Sequence, residues 1–101
     1  MNKEFLYQKW IRSYEEDTEY EIVYRPETYP FPLRRGGREG IDLRTDKKLI
    51  HRASGADDRY NITEGEWDFD GEEILAFNNP TSGLIRQQIL HLTGDKLVLK
   101  K

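Results

Sequence analysis

The groups from which catalysts are usually built are few in this chain: His51 and His91, and the serines Ser13, Ser54 and Ser82. A serine hydrolase needs a poised nucleophile, a base and an oxyanion hole. None of the three serines sits in a Gly-x-Ser-x-Gly turn, and neither histidine has a second histidine at metal-ligand spacing. A metal site from His51, His91 and a carboxylate would require distant strands to converge. Otherwise each histidine reads as a strand residue with apolar neighbours. With no cysteine, the chain has no disulfides, thiolate nucleophiles or cysteine metal sites, which fits a reducing compartment. The sequence names no catalytic residue, no metal ligand and no cofactor.

Charge is distributed in blocks. Residues 15–21 hold Glu15, Glu16, Asp17, Glu19 and Glu21 without a base, and residues 57–73 hold eight acids against Arg59 alone. Adjacent acids on a strand point to opposite faces, so Glu72-Glu73 cannot share a site if extended. Asp68, Asp70 and Gly71 are only a fragment of a calcium loop. These acids read as solvated and turn residues. The opposite block is Arg34-Arg35-Gly36-Gly37-Arg38-Glu39-Gly40, preceded by Arg25-Pro26-Glu27-Thr28-Tyr29-Pro30-Phe31-Pro32. Its arginines could hold a phosphate or carboxylate while glycines admit a ligand close to the backbone. The order is not that of a P-loop. Alternatively, the glycines bend the chain into the next strand and the arginines pair with the acidic segments. The net charge of −3 gives no support for nucleic acid as a partner.

The elements that must position these residues read as short strands between regular turn signals, the pattern of a sandwich or barrel. Ile41 and Leu43 alternate with Asp42 and Arg44, and Leu49–Ala53 returns as the second strand of a hairpin. From Tyr60 the alternation resumes, then changes parity at Gly65 before Trp67 and Phe69, which suggests a β-bulge. Asp70-Gly71 marks a tight hairpin turn. Ile74–Phe77, Leu84–Leu92 and Leu97–Leu99 then form a meander. Upstream, a helical turn over about residues 3–7 leads into a strand from Trp10, and Ile22–Tyr24 is a further short strand. The segment from Arg25 to Gly37 should be an extended loop, because its three prolines remove three backbone donors. The expected fold is all-β: one small antiparallel barrel or strongly curved sheet spanning residues 1–101, with a short N-terminal helical turn. Trp67 should lie in the core with several of Trp10, Ile41, Leu43, Ile74, Ile89 and Leu97.

Gly65-Glu66-Trp67, followed by Asp70-Gly71 and an apolar strand, resembles the G-x-W strand and hairpin of small bacterial lipocalin-like (calycin-type) barrel domains. Lys9-Trp10 after Leu6 resembles their N-terminal tryptophan strand, with Gln8 where glycine is usual. Residues 89–99 resemble their closing hairpin. The resemblance implies a lipocalin-like barrel, and it implies fold more than activity.

The function expected from these features is non-enzymatic binding. It would be either a protein interaction through loop 25–38, using Tyr29, Phe31, Arg34, Arg35 and Arg38, or capture of a small anionic or apolar ligand in the barrel mouth. The alternative is a small enzyme with a barrel-mouth site using His51, His91 and arginines. No apolar run approaches the roughly 18 residues of a membrane span, and the start does not read as a signal peptide. The chain is therefore expected to be cytoplasmic, a removed secretion leader being invisible in this sequence.

Overall fold

A computed structural model describes residues 2–33, 37–54, 60–79 and 83–101. The described residues form eight strands: β1 (Lys9–Arg12), β2 (Glu21–Pro26), β3 (Gly40–Leu43), β4 (Lys48–Ser54), β5 (Tyr60–Phe69), β6 (Ile74–Asn79), β7 (Gly83–Thr93) and β8 (Lys96–Lys100). Two single 3-10 turns, Lys3–Leu6 and Tyr14–Glu16, are the only helical pieces among them. No helix among them is long and apolar enough to cross a membrane.

The strands close into an antiparallel barrel in the order β1-β2-β8-β7-β6-β5-β4-β3. Strands β3 to β8 run as one meander, but β2 and β3 are not neighbours. Strand β1 lies between them, pairing Trp10 with Pro26 on one side and with Ile41 on the other. The chain leaving β2 must therefore pass β1 before it can begin β3, and residues 27–39 make that crossing.

Cross-strand partners share a face, which sorts the interior from the exterior. Trp10, Ile41, Leu43, Leu49, Trp67, Leu75, Phe77, Ile89, Leu97 and Leu99 are buried and form one core with Leu6 and Tyr24. The first 3-10 turn closes one end of the barrel by inserting Leu6, whose carbonyl accepts a hydrogen bond from the Trp10 indole at 3.2 Å. The Trp67 indole donates to the Arg44 carbonyl at 3.1 Å, so both tryptophans bury their rings without orphaning the N–H. Outside Trp67, Lys47 takes a left-handed conformation with φ of 67°. Its ammonium lies 4.5 Å from the Trp67 ring centre and 4.7 Å from that of Phe69. A cation over aromatic rings contributes roughly 0.5–2 kcal/mol, enough to offset the roughly 1–2 kcal/mol cost of that backbone conformation.

Three local expectations differ from the structure. The pairing of β4 with β5 runs unbroken from Lys48↔Glu66 to Ser54↔Tyr60, so Gly65 is not a bulge. The parity changes because Ile62 faces outward and is 66% exposed, while Trp67 faces inward. The register shift falls in β7, between Ile89 and His91. Ile74 also lies outside the core, and Leu75 takes the inward position. Finally, β2 continues through Arg25 to Pro26, so the loop begins two residues later than the prolines suggested. Pro26 stands at the last strand position, where a missing donor interrupts nothing beyond it.

Trp67 is 2% exposed. Trp67→Ala should cost about 3–5 kcal/mol, as for other buried large aromatics, measured by urea unfolding. A domain's whole stability is roughly 5–15 kcal/mol, so the variant should sit near or past the threshold of folding at room temperature.

Candidate functional site: the open mouth of the barrel

The end opposite the Leu6 plug is built from inward-facing polar side chains. Arg12 and Tyr24 are cross-strand partners, and His51 stands inward on β4 opposite Thr63 on β5. Glu39 precedes Gly40, where the loop joins β3, and lies beside His51. The His51 Nε2 and Glu39 Oε1 atoms are 2.6 Å apart. That hydrogen bond holds the Glu39 carboxyl below the usual carboxylate range, so Glu39 is an acceptor and His51 Nε2 carries the proton. Tyr24 is 7% exposed, and burial pushes its phenol well above the ordinary value. Its hydroxyl has no hydrogen bond among the described residues. The Arg12 guanidinium stacks 4.6 Å from the Tyr14 ring and pairs with Asp17, leaving its buried Nε without a partner.

These groups surround a cavity of about 160 Å³. Tyr24, Glu39, His51 and Gln87 supply its polar lining, and Ile41, Leu49, Phe77 and Ile85 its apolar wall. Ile85 is 42% exposed, which leaves the mouth open to solvent. Most ligand pockets measure roughly 300–1,000 Å³, so this one suits a molecule of one ring. A second hollow of about 200 Å³ lies on the outer wall over Ile11, Ile50 and Ile62. Gly40 makes room for it, since a Cβ there would meet Ile11 Cδ1 and the Trp10 carbonyl at 3.0 Å. The outer hollow is the wider of the two, but the mouth alone combines an apolar wall with an unpaired hydroxyl and an oriented acid–histidine pair.

The residues singled out in loop 25–38 lie elsewhere. Arg34 and Arg35 fall outside the described residues. Tyr29 and Phe31 are half-buried, meet edge to face with ring centres 5.0 Å apart, and are not part of the barrel core. Each is covered by an arginine, Arg25 over Tyr29 at 4.8 Å and Arg38 over Phe31 at 4.6 Å. Arg38 is 8% exposed, forms a two-pronged ion pair with Glu15, and donates to the carbonyls of Arg12 and Pro32 at 3.0 Å. Arg25 grips Glu16 in the same way, at 2.6 and 2.8 Å. Glu15, Glu16 and Asp17, which read as solvated acids, thus each hold an arginine: Arg38, Arg25 and Arg12. For Arg38 this is the alternative that the sequence leaves open, pairing with an acidic segment.

The remaining candidates separate. Ser13 is buried and donates to Glu16 at 2.7 Å, while the Ser54 side chain and Ser82 lie outside the described residues. His91 is exposed on β7 opposite Val98 and does not line the mouth, so the structure does not bring it to His51. Among the described residues, no group of three or more potential ligands could hold a metal ion. Sequence reasoning missed Tyr24 and Glu39 in the mouth. Tyr24 carried a signal, as an aromatic at the inward parity of a short strand, and Glu39 carried none. No protein-family model, no curated protein and no solved structure matches the chain.

The Arg25 guanidinium lowers the Glu16 carboxyl from 4.5 to about 2. A depressed carboxyl stabilises the fold above its unfolded value and loses that contribution as pH falls through the folded one. Glu16→Gln should therefore melt below the wild type at pH 6, and the two melting curves should converge between pH 4.5 and 2.

Proposed function

We propose that this chain is a non-enzymatic binding protein whose site is the barrel mouth, in the manner of a small lipocalin-like domain. The observation that carries this reading is the mouth cavity, where an apolar wall meets polar groups that are not consumed by the fold. An eight-strand antiparallel barrel is compatible with lipocalin-like architecture. The position of β1 between β2 and β3 departs from the simple up-and-down order of such barrels. Loop 25–38 is the less favoured site, because Arg25 and Arg38 are engaged by Glu16 and Glu15 and shield the two aromatic rings. Among its described residues, the fully exposed Leu33 is what it retains for a protein partner.

A second reading, a small enzyme, draws on the Glu39–His51 pair alone. A carboxylate that orients a histidine is the usual second half of an acid–base device, here beside a neutral phenol. Among the described residues no nucleophile is placed against His51, and binding is the better supported reading.

The test compares two variants by amide NMR with a set of ring-sized organic molecules. Wild type should show shifts confined to Ile41, His51, Phe77 and Ile85. Ile85→Trp, which fills the mouth, should abolish them. The combined replacement of Tyr29, Phe31, Arg34 and Arg35 by Ser should leave them intact. If it removes binding while the melting temperature holds, the site is the loop and the mouth reading fails.

A further inference from the structure

We propose that the mouth selects an uncharged, ring-sized molecule bearing one acceptor oxygen, a carbonyl or hydroxyl, which takes its hydrogen bond from Tyr24 Oη. This inference rests on the mouth reading and goes further, to the chemistry of the ligand.

Size comes first. A cavity of about 160 Å³ is close to the roughly 150 Å³ engineered cavity that admits benzene. Ile41, Phe77 and Ile85 would contact the hydrocarbon body of such a molecule, and the 42% exposure of Ile85 gives it a way in.

Polarity comes second. The Tyr24 ring is packed in the core, but its Oη has no hydrogen bond to the described residues and is not a sealed, partnerless atom, so it is open to the cavity that Tyr24 lines. The phenol stays protonated because burial disfavours the phenolate. It can therefore donate, and an acceptor oxygen entering the cavity would satisfy it. A hydroxyl on the ligand could in turn donate to the Glu39 carboxylate, which accepts from His51 through only one of its oxygens.

Charge comes third, and it decides against anions. The Arg12 guanidinium, behind Tyr24, is already paired with Asp17, and the Glu39 carboxylate itself lines the cavity. A carboxylate ligand would lose its hydration, meet a like charge and find no unmatched positive one among the described residues. A neutral ligand avoids that cost. The anionic ligand suggested by the arginine-rich loop is thus disfavoured at this site.

The experiment titrates three probes into wild type and Tyr24→Phe by NMR at pH 7: cyclohexanone, methylcyclohexane and cyclohexanecarboxylate. Cyclohexanone should bind wild type and lose about tenfold in Tyr24→Phe, the worth of one hydrogen bond. Methylcyclohexane should bind both proteins equally, and the carboxylate should bind wild type at least tenfold more weakly than the ketone. Tyr24→Phe should fold and melt no lower than wild type, because the hydroxyl has no partner to lose. As a check that needs no variant, the ring-carbon resonance next to Oη in labelled wild-type Tyr24 should move with the ketone and not with methylcyclohexane. Equal or tighter binding of the carboxylate overturns the inference, as does a ketone affinity indifferent to Tyr24→Phe. If methylcyclohexane binds and the ketone does not, the mouth reading survives and the choice of ligand is wrong. If none of the three binds, the mouth reading itself falls.

Discussion

Strand β1 offers only four residues, Lys9–Arg12, yet it hydrogen-bonds to β2 on one side and to β3 on the other. Without it the sheet would have two open edges, each a row of unpaired donors and acceptors. Everything else in the molecule accommodates that insertion. Because β1 separates β2 from β3, the chain needs the crossing segment 27–39, and that segment needs an anchor. Arg38 supplies it, holding the Arg12 carbonyl at the end of β1 and the Pro32 carbonyl within the crossing. The Arg12 amide completes the join by donating to the Glu39 carbonyl at 2.8 Å.

The same constraint explains the run of acids after β1. The turn Tyr14–Glu16 must reverse the chain from β1 into β2, and Glu15, Glu16 and Asp17 leave it in three directions. Each meets an arginine from a different place: Arg38 from the crossing, Arg25 from β2 and Arg12 from β1. Arg12 and Asp17 are each 15% exposed, and the Arg25 and Glu16 side chains 15% and 28%. Ion pairs at this depth differ from those on an open surface, which contribute little. Here the charges are partly desolvated, and those of Arg25 and Arg38 are forked, so losing one partner strands the other. The arginines spent in this way cannot also recruit a ligand, and this is the physical ground for preferring the mouth over the loop.

The mouth is in turn a by-product of that bracing. The crossing delivers Glu39 next to His51 and leaves Tyr24 packed beneath Arg12 with its hydroxyl unpaired. One end of the barrel is sealed by Leu6, two tryptophans and the Lys47 ammonium. The other end is lined by groups that a fold alone does not require.

Local pattern was enough to establish the all-β class, nearly every strand from Gly40 onward, the N-terminal helical turn and Trp67 as a core residue. Period-2 alternation and turn glycines are short-range signals, and strands β4 to β7 pair only with their chain neighbours in the meander. Alternation misled where an outward position is apolar, as at Ile62, because parity read from hydrophobicity alone cannot tell an exposed isoleucine from a shifted register. The candidate site was barely legible. His51 was visible as a histidine, but its partner Glu39 is an ordinary acid among many until the crossing sets it 2.6 Å away. The insertion of β1 between β2 and β3 is decided by contacts between residues 12 to 33 positions apart, for which adjacent residues carry no code. Sequence by itself determined the strands and the face each presents to the core. The tertiary structure alone decided which arginine each acid meets, and therefore which polar groups remain free at the mouth, because charge pairing depends on distance in space and not along the chain.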